Sequence, residues 1–363
     1  MASIIDNHPK AISVNLAELQ DGSVSLETLE RAFGPDSLGI ILVRGLPQHF
    51  ASLRHKMLSF SSYLANLPDK ELAKLERPEA KYNAGWSCGK ETLADGRYDT
   101  FKGSYYAQPI HNDALEQRAR ALYPDLVAFV APNTWPDEAV LPGFRETFES
   151  LCRLIVDVAA LVARACDRYG VARLDGYQPG TLENIVRQSV STKARLLHYF
   201  PPPPEHSMAR PDSAVASDDD WCATHTDLGA LTGLTGQMFI DEDSHAPRRQ
   251  PDGTLSELPE MQSHPDAKAG LWIKDRSGRT TQVDIPKDCL GFQTGMALQL
   301  ITRGKFRAVP HFVRGAAPGK AGRIARNTLA VFTQPNLWEK VDETRDFATF
   351  AQEIINGTYG STS

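Results

Sequence analysis

WCATHTDLGALTGL, Trp221 to Leu234, sets His225 and Asp227 two residues apart inside a run that otherwise reads as a buried strand. Alternate side chains of a strand share a face. The imidazole and the carboxylate therefore point the same way, and burying both is costly unless a common partner satisfies them. In a chain with ten histidines a His-x-Asp alone carries little weight, so the reading depends on what accompanies it.

Around this stretch the texture is that of a β core. From ARLLHYF (Ala194 to Phe200) onward, short apolar or alternating runs are separated by Gly, Pro and Asp, among them QMFID, CLGFQTGMALQLITRG, FRAVPHFV and RNTLAVFTQP. Such spacing indicates a sandwich, a jelly roll or a barrel. Upstream, LGIILVRGL (Leu38 to Leu46) reads as a buried strand and is followed by helical segments. The clearest helix is expected from Phe144 to Tyr169, with an apolar stripe at spacings of three, four or seven and Gly170 as its stop. Two long polar loops interrupt the β half, residues 201–220 and 241–270. The first leads into the His225 run, which makes it a candidate lid.

Bulk properties narrow the function. The chain has 363 residues, 41% of them apolar and 23% charged, with a formal net charge of -6. An acidic balance without basic runs argues against a nucleic-acid partner, whose phosphates demand a basic surface. The five cysteines are widely spaced without a C-x-x-C pair, which favours free thiols in a reducing compartment. No apolar run is long enough to cross a bilayer and no secretory signal opens the chain, so the expectation is a cytoplasmic protein with no membrane partner.

Two histidines and one carboxylate on one face of a metal form the facial triad of non-haem Fe(II) oxygenases, with open positions for substrates. His225 and Asp227 supply two ligands, and a third should come from another strand. His311, in an apolar run after a turn, fits; His198, His206, His245 and His264 compete, the last three from polar loops. In RNTLAVF, Arg326 and Thr328 again stand two apart, facing the same way as Phe332. A buried guanidinium is shaped for a carboxylate, and the strand contains none. A bound dicarboxylate would supply one.

In this order, His225-x-Asp227, His311 and Arg326-x-Thr328 with Phe332, the chain resembles the Fe(II)/2-oxoglutarate-dependent dioxygenase superfamily in its isopenicillin-N-synthase-like branch. LGIILVRGLP and LLHYFPP resemble that family's N-terminal strand and the entry to its H-x-D motif. The resemblance spans about Ile12 to Asn336. It implies an α+β fold with a double-stranded β-helix (jelly-roll) core: a region 1–193 packed on the core, a catalytic core 194–336, and a C-terminal helix and tail 337–363. It also implies Fe(II) held by His225, Asp227 and His311, 2-oxoglutarate bound by Arg326 and Thr328, and O2 as co-reactant. The outcome is oxidation of a C–H bond in a small-molecule specialised metabolite, with release of succinate and CO2.

Thr328 stands where the family more often has Ser, and Arg323 rivals Arg326. Phe200 stands where many members place a Tyr that helps hold 2-oxoglutarate, which leaves open whether Tyr199 takes that part. The segment from Lys81 to Pro109 concentrates Tyr82, Trp86, Tyr98, Phe101, Tyr105 and Tyr106 and resembles the pocket border of relatives. Tyr82, Trp86, Phe101, Tyr105, Arg195 and Phe200 are the candidate substrate residues. An iron oxidase that does not use 2-oxoglutarate and a noncatalytic jelly-roll binding module are the alternatives.

Overall fold

The computed structural model describes residues 10–90, 99–201, 222–264, 266–315 and 323–359. The candidate lid lies outside these residues except for Pro201, as do Tyr98 and His206.

In chain order the strands are β1 (Ile12–Asn15), β2 (Ile40–Arg44), β3 (Gly85–Cys88), β4 (Lys102–Ala107), β5 (Lys193–Tyr199), β6 (Cys222–His225), β7 (Leu231–Thr235), β8 (Met238–Asp241), β9 (Gly270–Lys274), β10 (Thr280–Gln282), β11 (Leu290–Thr294), β12 (His311–Arg314) and β13 (Ile324–Thr333). The larger sheet runs β1-β2-β11-β7-β13-β5-β4-β3, with β8 also on β13, and the smaller runs β10-β9-β12-β6. Of the pairings, β1 with β2 is parallel and the others are antiparallel. From β5 onward the chain crosses repeatedly between the sheets: β5, β7, β8, β11 and β13 lie in the larger, and β6, β9, β10 and β12 in the smaller. Residues of both sheets line one cavity, so the sheets face each other across it.

The strands before residue 194 are continuous with those after it. β4 pairs with β5 from Lys102↔Tyr199 to Ala107↔Ala194, and β2 pairs with β11. The apolar run anticipated at residues 38–46 forms β2, whose β-branched side chains suit a sheet interior.

The long helix spans Phe144–Arg173 and packs on the face of the large sheet away from the cavity. Phe144 and Phe148 meet Tyr105 of β4 edge to face at ring distances of 5.2 and 5.7 Å, and Ile155 fills the space that Gly233 of β7 leaves open. Each such buried aromatic or aliphatic side chain stabilises the fold by about 1.5–3 kcal/mol. Gly170 does not end the helix, contrary to expectation. It sits inside it because a Cβ there would come within 2.7 Å of the Tyr177 ring. Tyr177 donates to Asp167 Oδ1 at 2.7 Å, and Asp167 also accepts from the backbone N–H groups of Leu182 and Glu183, at the start of the helix Thr181–Gln188. The glycine thus lets the ring seat where it ties the two helices together. A further helix, Phe347–Tyr359, follows the last strand. Among the described residues no helix is long and apolar enough to cross a membrane.

His198 lies on the face of β5 that turns away from the cavity and is fully buried. Its Nδ1 lies 2.8 Å from Asn327 Oδ1, and Asn327 donates to Leu58 O and Ser62 Oγ. Burial pushes the His198 pKa down to about 4. Below pH 6.5 the unfolded chain takes up a proton that native His198 refuses, so this group's stabilisation is lost as pH falls from 6.5 toward 4. Glu242, 3.9 Å away, is pushed up by burial and acts in the opposite sense, costing stability as pH rises above the ordinary carboxylate range. His198→Gln is therefore expected to lose roughly 2 kcal/mol less stability than wild type between pH 7 and pH 5. Urea unfolding at the two pH values measures this, and equal losses would contradict it.

Candidate metal centre

The anticipated strand around His225 ends sooner than expected. β6 stops at His225, and Asp227 lies in the turn before β7 rather than on a shared strand face. The turn itself brings the two together. Met296 and Ala297 donate backbone N–H groups to the carbonyls of Asp227 and Leu228, which pins this turn onto the end of β11. His311 is the Cα partner of His225 across the β12–β6 ladder, so the two imidazoles stand side by side with ring centroids 4.3 Å apart. Asp227 Oδ1 lies 3.7 Å from His225 Nε2 and 3.8 Å from His311 Nε2. One ligand atom from each residue falls within 4.8 Å of the other two.

The surrounding hydrogen bonds prepare these atoms. The Thr232 hydroxyl donates to Asp227 Oδ2 at 2.5 Å and leaves Oδ1 facing the histidines. His225 Nδ1 donates to Ala223 O at 2.8 Å, so Nε2 is the nitrogen that gives up its proton to a metal. Burial holds His311 down to about 4, hence neutral at physiological pH, the state that ligates a metal. For His225, burial alone would lower the pKa, but Cys222 and Asp227 together raise it to about 9, so a cation entering here displaces a proton.

His311 Nδ1 faces the Gln293 amide at 2.8 Å and Val309 O at 3.3 Å. With Nε2 given to a metal, Nδ1 must carry the hydrogen and needs an acceptor. Gln293 Oε1 is buried without a partner among the described residues, and a half-turn of the amide presents it to Nδ1. Gln293→Leu is expected to weaken Fe(II) or Co(II) affinity about 10–100-fold. Competition with a metal-sensitive dye measures it, and an unchanged affinity would leave the orienting role to Val309 O.

A second polar group faces the same cavity from β13. Arg326 is 5% exposed; its Nε donates to Gln237 Oε1 at 2.7 Å and its guanidinium lies over the Tyr199 ring at 4.9 Å. Its Nη1 is buried with no hydrogen-bond partner among the described residues. Thr328 lies on the same face, with its hydroxyl 3.4 Å from Thr235 O. Among the described lining residues Asp227 is the only acidic one. Arg323, the rival, is exposed and pairs with Asp243 at 2.8 Å, away from the cavity.

The candidate substrate residues separate by strand phase. Arg195, Leu197 and Tyr199 line the cavity, while Phe200 packs edge to face on His198 with the outer core. It is thus Tyr199, the Cα partner of Arg326, that stands beside the guanidinium, and Phe200 does not face it. Trp86 and Tyr105, paired across β3 and β4, also turn outward; Tyr105 donates to Thr134 O inside the aromatic cluster. Tyr82 follows a single turn of 3-10 helix with φ 59° and carries Lys90 over its ring. Neither Tyr82 nor Phe101 lines the cavity among the described residues. The residues of β4 on the inner face are Lys102, Ser104 and Tyr106: Lys102, the Cα partner of Tyr199, is ion-paired with Asp99, while Arg195 donates from Nε and Nη2 to Ser104 Oγ at 3.1 and 2.8 Å and stacks on Tyr106 at 4.9 Å. Ser104, Gln237 and Gln293 were not anticipated from sequence.

No family model matches the chain, and no curated protein is significantly similar to it. Solved structures are similar in fold. Neurospora crassa thymine 7-hydroxylase in complex with alpha-KG and thymine superposes with a TM-score of 0.64 at 16% identity, covering 99% of this chain and 100% of that one. The rice dioxygenase for auxin oxidation gives 0.58 at 15% identity over 97% and 96% of the two chains. Its Arabidopsis thaliana counterpart, solved with 2-oxoglutarate, gives 0.53 at 14% over 92% and 95%. The chain therefore shares the mixed α/β fold, with its large sheet, found in these 2-oxoglutarate oxygenases.

Proposed function

We propose that this chain is an Fe(II)- and 2-oxoglutarate-dependent oxygenase acting on a small molecule, with the facing sheets as a jelly-roll core. The observation that carries the reading is one cavity holding both the His225, Asp227 and His311 cluster and the buried Arg326, whose Nη1 has no partner among the described residues. The three converging donors, the neutral nitrogen of His311, the nitrogen that His225 offers once a cation displaces its proton, and a carboxylate oxygen, suit Fe(II). Arg326 and Thr328 bind the far carboxylate of 2-oxoglutarate, with Tyr199 stacked on the guanidinium and Gln237 holding Nε. When bound, iron, 2-oxoglutarate and O2 supply the oxidation of a C–H bond, with release of succinate and CO2. The chain's own part is to hold Asp227 Oδ1 toward the metal, keep both imidazoles in the ligating tautomer, and wall the cavity from water with Leu197, Leu234, Val283 and Val313. Solved proteins of this fold take thymine or act in auxin oxidation, which supports a small organic substrate here.

Calorimetry of Mn(II)-loaded protein with 2-oxoglutarate tests this reading. Saturable binding that weakens sharply when the metal is removed is expected. Absence of binding to loaded protein would overturn it.

A further inference from the structure

Lys193 opens β5 and projects from the same sheet face as Arg195, Leu197 and Tyr199, all of which line the cavity. Its Cα partner is Phe332, which in turn pairs with Thr232, the residue whose hydroxyl holds Asp227. Thr232, Phe332 and Lys193 thus form one row across three neighbouring strands, spaced about 4.8 Å apart. The row places the lysine at the level of the metal cluster.

The Lys193 side chain is 2% exposed, and its Nζ has no hydrogen-bond partner among the described residues. Glu116 is the carboxylate whose charge bears on it, yet Glu116 is engaged by Arg120 at 2.8 Å. An uncompensated buried ammonium costs several kcal/mol. Burial accordingly pulls Lys193 down to about 8, which still leaves it mostly charged at neutral pH. No residue role assigned above uses this amine. A second cation, Arg195, stands two residues along the same face, and the cavity that Arg195 and Phe332 line is largely apolar, with Leu197 and Leu234; Lys193 adjoins it through Phe332. One ammonium and one guanidinium in such a wall match a monocarboxylate with an apolar body; a phosphate dianion demands more donors.

We propose that Lys193 is a specificity-determining residue that binds the carboxylate of an organic-anion substrate beside Arg195. The inference rests on the oxygenase reading above and names its substrate class. The test uses full-length protein loaded with Mn(II) and 2-oxoglutarate, titrated with aliphatic and aromatic monocarboxylates of up to about ten carbons and with the matching primary amides. At least one carboxylate is expected to bind at least tenfold tighter than its amide. Lys193→Met should remove that preference, Lys193→Arg should keep part of it, and 2-oxoglutarate affinity should stay within twofold in both. Should Lys193→Met fail to fold, the side-chain resonances of lysine-labelled wild-type protein loaded with diamagnetic Zn(II) in place of Mn(II) serve instead, with a carboxylate-dependent shift of the buried lysine expected. No carboxylate binding, no preference over the amide, a preference retained in Lys193→Met, or an unmoved resonance would each overturn the proposal. Loss of 2-oxoglutarate binding by wild type itself would instead overturn the oxygenase reading, so the two failures are distinguishable.

Discussion

Asp227→Ala is expected to lose Fe(II) binding altogether while the protein keeps its fold. Asp227 is the hub of the cluster, since both imidazole Nε2 atoms approach the same Oδ1, and it contributes the cluster's only negative charge. Two neutral imidazoles without a carboxylate neither neutralise a divalent ion nor close its facial set. The structural cost is small by comparison. The substitution removes one charge-assisted hydrogen bond from Thr232, worth about 1.5–3 kcal/mol, and also relieves the desolvation of a 5% exposed carboxylate. The turn's backbone contacts to Met296 and Ala297 do not involve the side chain and remain. Metal analysis after gel filtration in Fe(II) under anaerobic conditions, paired with a thermal melt, reads both effects. Iron stoichiometry equal to wild type would remove Asp227 from the site.

The second large effect concerns Arg326. Its removal is expected to weaken 2-oxoglutarate binding by about 2–5 kcal/mol, or roughly 30- to several thousand-fold. The magnitude follows from burial: the guanidinium is 5% exposed, and Asp227, the one carboxylate among the described lining residues, belongs to the metal cluster. A carboxylate brought there loses its water and regains the loss only if the fork meets it. Arg323→Ala is the internal control and should leave the affinity within twofold, because Arg323 is exposed and occupied by Asp243. Calorimetry on metal-loaded protein compares the two variants. Equal affinities in wild type and Arg326→Ala, or a larger loss in Arg323→Ala, would contradict the assignment.

Where the sequence spoke through spacing and order, it spoke clearly. His225-x-Asp227, His311 and Arg326-x-Thr328 come from distant parts of the chain, and the structure gathers them in one cavity. The x-Thr partner was also what separated Arg326 from Arg323. Strand phase was much harder to read. Tyr199 and Phe200, or Tyr105 and Tyr106, are adjacent aromatics, and a shift of one residue exchanges the cavity face for the core face. Asp227 shows a related limit, because an i, i+2 pair meets a common ion just as well across a turn as along a strand. Gly170 looked like a helix stop because the ring of Tyr177, which explains it, arrives only through tertiary packing. Gln237 and Gln293 act through single amides that no local pattern marks.

The central claim, that one cavity joins iron to 2-oxoglutarate, is tested most directly by anaerobic titration of Fe(II)-loaded protein with 2-oxoglutarate, following the weak visible charge-transfer band of the chelate. The account predicts a band that saturates in wild type, needs a much higher 2-oxoglutarate concentration in Arg326→Ala, and is absent in Asp227→Ala. Protein that binds Fe(II) but develops no band at any 2-oxoglutarate concentration would contradict it.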